Sequence, residues 1–132
     1  MIVLAIVDDL LFQAKIQAVA APLGVEVRIA KTFAQAQEAW SDPNVVVVDL
    51  NFTSADPLEV VRTLRMQRPA VPIIGYGSHV QAELLAQARA AGCTTVLPRS
   101  VFVQQLPRLL TPSHFGGVPP GNIEGCSGFR VG

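Results

Sequence analysis

Four consecutive valines, Val45–Val48, constrain this chain more than any other stretch. Successive side chains of a strand point to opposite faces, so an unbroken valine run is apolar on both. Such a strand needs cover above and below, as in the middle of a parallel sheet with helices on each face. Asp49 ends the run, and Ser41-Asp42-Pro43-Asn44 before it reads as a turn.

The other hydrophobic segments alternate between two periods. Ile2–Val7, Val25–Ala30, Ile73–Tyr76 and Thr94–Leu97 read as strands, beside Val45–Asp49. Helical spacing marks Leu11–Leu23, with Gly24 as its stop, Pro57–Arg68, with Val60, Val61 and Leu64 facing inward, and Val101–Leu110. Two more helices are expected, one capped by Thr32 and running through Trp40, with Phe33, Ala36 and Trp40 on one face, and one capped by Ser78 and running to Ala91 before Gly92. Five strands and five helices in strict alternation predict right-handed crossovers and a doubly wound parallel sheet in a three-layer α/β/α domain. In such sheets ligands bind beyond the carboxyl ends of the strands, where strand order reverses. Asp8-Asp9, Asp49 and Arg99-Ser100 each follow a strand, so the fold is expected to gather them into one acidic pocket with one basic neighbour.

Composition narrows the function classes. With 132 residues, 50% hydrophobic and only 15% charged, the chain can build one ordinary core. Ten basic residues balance ten acidic ones, and no helix-turn-helix pattern follows residue 110, so direct nucleic-acid binding is not expected. Cys93 and Cys126 form neither a metal spacing nor a CxxC pair. The apolar N-terminus meets two Asp at once, unlike a signal peptide, and no run approaches the ~18 apolar residues of a membrane span. A cytoplasmic protein is expected. Residues 111–132 hold six of the ten Gly and three of the ten Pro, and read as a flexible tail behind a domain spanning 1–110.

Mg²⁺ prefers hard oxygen ligands and keeps several waters. Adjacent carboxylates at one strand end with a third at the next suit it, and a carboxylate beside such an ion can attack a phosphoryl donor to form an acyl phosphate. The competing reading of Asp8-Asp9 is a helix cap that complements the helix dipole.

Ile6-Val7-Asp8-Asp9, Val45–Asp49 with Leu50-Asn51, and Ala91-Gly92-Cys93 leading to Leu97-Pro98-Arg99-Ser100 together resemble the receiver domain of bacterial two-component response regulators, over about residues 1–110. The resemblance implies a flavodoxin-like fold and a role in phosphorelay signalling. It makes Asp49 the phosphoacceptor, with Mg²⁺ held directly by Asp9 and Asp49, by Asp8 largely through water, and by the backbone carbonyl of Asn51. It implies protein partners, a sensor kinase or a downstream effector, and no enzyme activity beyond self-phosphorylation and dephosphorylation at Asp49. The switching surface would be the fourth helix, fifth strand and fifth helix, where homodimers also form; Val101, Phe102 and Leu106 would supply its apolar contacts.

Two positions depart from the family pattern. The hydroxyl residue at the end of the fourth strand is replaced by Gly77, with Ser78 one place on, and the lysine near the end of the fifth strand is Arg99, followed by Ser100 instead of proline. Arg is longer and planar, and not equivalent at a tight site. His79 is a candidate polar substitute for the missing hydroxyl. The usual aromatic gate on the fifth strand falls at Val96, so Tyr76 reads as packing. These departures keep open, beside the stand-alone phosphorelay receiver, a degenerate pseudo-receiver that acts as a protein-interaction module independent of phosphorylation. Asp49-Leu50-Asn51-Phe52-Thr53 also resembles the DxDxT signature of Mg²⁺-dependent haloacid-dehalogenase phosphatases, but Asn51 cannot serve as that family's general acid. Gly75 and Gly77 are reminiscent of a phosphate loop without its third Gly and Lys; a tight turn explains them equally well.

Overall fold

A computed structural model describes residues 1–38, 43–53 and 55–111. Trp40, Ser41, Asp42, Cys126 and all of the expected tail except Thr111 lie outside the described residues.

Among the described residues strands and helices alternate: β1 (Ile2–Ile6), α1 (Leu10–Leu23), β2 (Glu26–Ala30), α2 (Phe33–Glu38), β3 (Val45–Asp49), α3 (Pro57–Gln67), β4 (Ile73–Gly77), α4 (Ala82–Ala91), β5 (Thr95–Pro98) and α5 (Arg99–Leu109). All pairings are parallel, in the order β2-β1-β3-β4-β5. This is the flavodoxin-like order of doubly wound sheets, and strand order reverses between β1 and β3.

The valine run behaves as its pattern requires. Val45 and Val47 enter one core cluster, Val46 and Val48 the other, and all four are fully buried. On the first face lie Phe12, Ile16 and Ala20 of α1 with Phe102, Leu106 and Leu109 of α5. On the second lie Ala36 of α2, Val60, Val61 and Leu64 of α3, and Leu85 and Ala88 of α4. β1 splits the same way, with Val3 and Ala5 on one side and Leu4 and Ile6 on the other.

Local chemistry sets the helix ends. Asp56 caps α3 through Leu58 N–H, with Pro57 at the first helical position. Thr32 accepts Gln35 N–H at 3.1 Å, as a cap should, while Gln35 accepts Lys31 N–H at 2.8 Å. Gly24 closes α1 in the left-handed region at φ 69°. Ser78, expected to cap α4, does not. It begins a turn in which Gln81 N–H donates to its carbonyl at 3.0 Å, and α4 starts at Ala82. Gly75 and Gly77 also differ from the expected turn, since both lie within β4. A Cβ on Gly75 would sit 3.0 Å from Cys93 Sγ and 3.3 Å from Leu50 Cδ2, so the glycine makes room for both side chains. Burial pushes the Cys93 thiol up to about 12, consistent with packing and not redox chemistry.

The expected apolar contact surface is corrected by the packing. Phe102 is fully buried and Leu106 is 1% exposed, both in the α1/α5 core, and Val101 is half-buried against it. Their spacing is the inward stripe of α5. The large apolar side chains that do face solvent, among the described residues, are Leu10, Leu11, Leu23, Met66 and Val80. No helix among these residues is long and apolar enough to cross a membrane.

Candidate functional site

The site is built at the reversal point. β1 and β3 run side by side, with Ile6 opposite Val48. One residue beyond that pair, Asp49 ends β3 at 4% exposure. Its Oδ1 accepts the Asn51 N–H at 2.8 Å, which folds the chain tightly over the strand end. Burial, above all, holds the Asp49 carboxyl above its ordinary range. The Asn51 N–H and the Arg99 guanidinium pull it back down, while the carboxylates of Asp8 and Asp9 push it up. Asp49 therefore feels two carboxylates and one guanidinium, the residues that the alternation of elements is expected to gather.

The neighbouring carboxylates are also held structurally. Asp9 is the N-cap of α1, with Oδ1 accepting the N–H groups of Leu11 at 2.8 Å and Phe12 at 3.3 Å. The helix-cap reading thus holds for Asp9. Asp8 instead reaches across to the loop after β3, where its Oδ2 accepts from Thr53 N–H at 3.1 Å and from the Thr53 hydroxyl at 2.9 Å. Beneath them the buried Gln13 amide donates to the Val7 carbonyl at 2.8 Å and fixes the turn out of β1.

On the other side, Asn51 links two loops. Its Oδ1 accepts from Arg99 Nη2 at 2.8 Å, and its Nδ2 donates to Gln81 Oε1 at 2.9 Å. Arg99 also lies over the Phe12 ring, 5.6 Å from the centroid. Gln81 was not foreseeable as a site residue, and Thr53 stood out only as the end of the DxDxT-like stretch. A lone polar residue in a loop has no periodic signal, and its partner is set only once the topology brings the β3–α3 and β4–α4 loops together.

Gly77 contributes no polar group. A Cβ there would meet Leu85 Cδ2 at 3.3 Å and Leu50 Cβ at 3.5 Å, on the sheet face opposite Asp49. Ser78 and the exposed His79 line an open cavity of about 390 Å³ with Phe12, Arg99, Ser100 and Val103. Tyr76 packs, as its sequence context suggests. It is fully buried, with its ring centroid 5.0 Å from that of Phe12 and 4.3 Å from that of Phe102.

Among the described residues, no three His, Cys, Asp or Glu side chains are drawn together as a ready metal-ligand group. The donor chemistry does fit a hard divalent cation. Asp8, Asp9 and Asp49 each commit one carboxylate oxygen to the hydrogen bonds above, and an added cation would offset the burial and, to a lesser degree, the carboxylate repulsion that raise Asp49.

Receiver domains of response regulators are among the solved structures that share this architecture. The chemotaxis response regulator CheY4 of Vibrio cholerae superposes with a TM-score of 0.73 at 23% identity, over 83% of this chain and 94% of that one. A CheY-like receiver domain protein from Methanospirillum hungatei JF-1 gives 0.75 at 17% identity, over 86% and 92%. NtrX from Brucella abortus gives 0.76 at 18% identity over 86% of this chain, which spans only 26% of the NtrX chain. No protein-family profile and no curated protein matches the sequence. The likeness lies in the fold, that of response-regulator receiver domains.

Proposed function

We propose that this domain is a signal-transduction receiver that takes a phosphoryl group on Asp49 from a sensor kinase and thereby biases its binding to a downstream protein. The observation that carries the reading is Asp49 itself, a nearly buried carboxylate at the strand-order reversal, flanked by Asp8 and Asp9 on one side and Arg99 on the other. An Asp49 oxygen attacks the donor phosphorus, the bond to the leaving group breaks, and that group departs with the electron pair. Hydrolysis of the acyl phosphate returns the carboxylate and inorganic phosphate. Mg²⁺, held by Asp8, Asp9, Asp49 and the Asn51 carbonyl, would supply charge neutralisation for the transferring group. Asp49 is the bearer of the signal and the domain is not an enzyme in the ordinary sense. Such signalling takes place in the cytoplasm.

Incubation with acetyl phosphate and Mg²⁺, followed by intact-mass analysis, tests the assignment. The expected result is a gain of one phosphoryl group in the wild type and none in a folded Asp49→Asn variant. Labelling that persists in the variant would refute it.

A second reading is favoured by Arg99 and Gly77. The guanidinium already spends Nη2 on Asn51, and Gly77 offers no hydroxyl to follow a phosphoryl group. In this pseudo-receiver version a partner protein binds irrespective of Asp49, and the Asp49→Asn variant binds it with unchanged affinity.

A further inference from the structure

Beside the site lies a buried polar atom that the reading above does not use. Tyr76 is fully buried, and its hydroxyl, beside the Asp49 carboxylate, makes no hydrogen bond of ordinary geometry. A buried hydroxyl without a well-made partner destabilises the fold, and phenylalanine would fill the same space without that penalty. The ring is fixed by its contacts with Phe12 and Phe102, so the hydroxyl cannot swing away to solvent. Its position is set by strand pairing. Tyr76 is the β4 residue opposite Asp49, and Leu50 N–H donates to the Tyr76 carbonyl at 2.8 Å. Paired residues of neighbouring strands project to the same face, so the phenol and the carboxylate emerge side by side. Burial, above all, holds the phenol well above its ordinary range; the carboxylates of Asp49 and Asp9 push the same way and the Arg99 guanidinium pulls it back, so the hydroxyl keeps its proton. Gly77, the residue that would bear a hydroxyl in the family pattern, faces the opposite side of the sheet.

We propose that the Tyr76 hydroxyl donates a hydrogen bond to an oxygen of the phosphoryl group carried on Asp49, in place of the hydroxyl that Gly77 lacks. The inference rests on Asp49 being the phosphoacceptor. No bond is made or broken at Tyr76; it binds the tetrahedral group and leaves the carboxylate to do the chemistry.

Beryllofluoride, which mimics a phosphoryl group on a carboxylate, is the probe, added with Mg²⁺ to the full chain. The Tyr76→Phe variant keeps the ring and is expected to bind it about tenfold more weakly or worse, the scale of one hydrogen bond to a charged acceptor. Thermal stability without beryllofluoride should be unchanged or higher, because the variant removes a polar atom without a well-made partner. Equal affinity in the two proteins would overturn the proposal. A second measurement needs no variant at this position. The chain holds one tyrosine, so a ¹³Cζ-tyrosine label gives a single resonance that reports hydrogen bonding at this hydroxyl. It should move on beryllofluoride addition in the wild type and stay still in Asp49→Asn. If beryllofluoride binds the wild type tightly with no movement of that resonance, Tyr76 is excluded and Asp49 stands. If the wild type does not bind it, or Asp49→Asn binds it equally well, the Asp49 reading fails and this inference fails with it.

Discussion

Asp49 ends a fully buried strand beside two other carboxylates, and its chemistry shows in how it titrates. Its pKa is raised in the folded chain, chiefly by burial. The folded state therefore holds this proton to higher pH than the unfolded state does. The stability contributed by Asp49 is full below the ordinary carboxylate value of 3.8 and is lost as pH rises through the raised folded value. At neutral pH the buried charge weakens the fold. Asp49→Asn, whose amide oxygen can still accept the Asn51 N–H, should then stabilise the domain at pH 7 by about 1 kcal/mol, or roughly 4 °C. Thermal unfolding from pH 4 to 7.5 should show that gain shrinking toward acid; a gain independent of pH would contradict the account. Arg99 acts in the opposite sense. It lowers the Asp49 pKa, so Arg99→Ala should raise it further, visible in a carboxyl ¹³C NMR titration. An unchanged titration would remove Arg99 from the site's electrostatics.

Elements are held in register by residues with no functional signature, of which Arg65 is the clearest. From the last turn of α3 its Nε and Nη2 donate to the Gly92 carbonyl at 3.0 and 2.8 Å, and Nη2 also reaches Thr94 Oγ1 at 3.1 Å. Nη1 donates to the carbonyls of Arg68, Pro69 and Val71. One guanidinium thus ties α3 to the close of α4 and to the chain entering β4. Arg65→Ala should cost about 2–3 kcal/mol by denaturant unfolding, and Arg65→Lys should recover little of it, because an ammonium cannot reproduce the planar fork. A loss within ~0.5 kcal/mol would show that solvent replaces these bonds readily. No reading of the sequence could find this, since Gly92 and Thr94 are far along the chain and meet Arg65 only after the helix ends are fixed. What could be read was periodicity. The valine run, the alternation of strands and helices, and the clustering of Asp8, Asp9, Asp49 and Arg99 followed from local pattern plus the rule for doubly wound sheets. Helix starts were less legible. Ser78 has a capping side chain but precedes a turn, and Gln81 stands at the N-cap of α4 without a side-chain hydrogen bond there. Phe102 and Leu106 were apolar for the core's sake, and spacing alone does not tell an inward stripe from a contact face.

At the scale of the whole molecule, strand order concentrates the chemistry. The order β2-β1-β3-β4-β5 brings the ends of β1 and β3 together, and the loops after β3 and β4 and the start of α5 join there through Asn51, Gln81 and Arg99. A change at Asp49 thus has direct routes to α5 through Arg99 and to the β4–α4 loop through Gln81. The central claim is that Asp49 is a phosphoacceptor coupled to those elements. Amide NMR of the full chain with Mg²⁺ alone, then with Mg²⁺ and beryllofluoride, tests it most directly. The account predicts shifts around Asp9, Asp49 and Arg99 that spread into residues 78–106 only when beryllofluoride is present. No response to beryllofluoride would contradict it, and shifts complete with Mg²⁺ alone would leave a metal site without a phospho-switch.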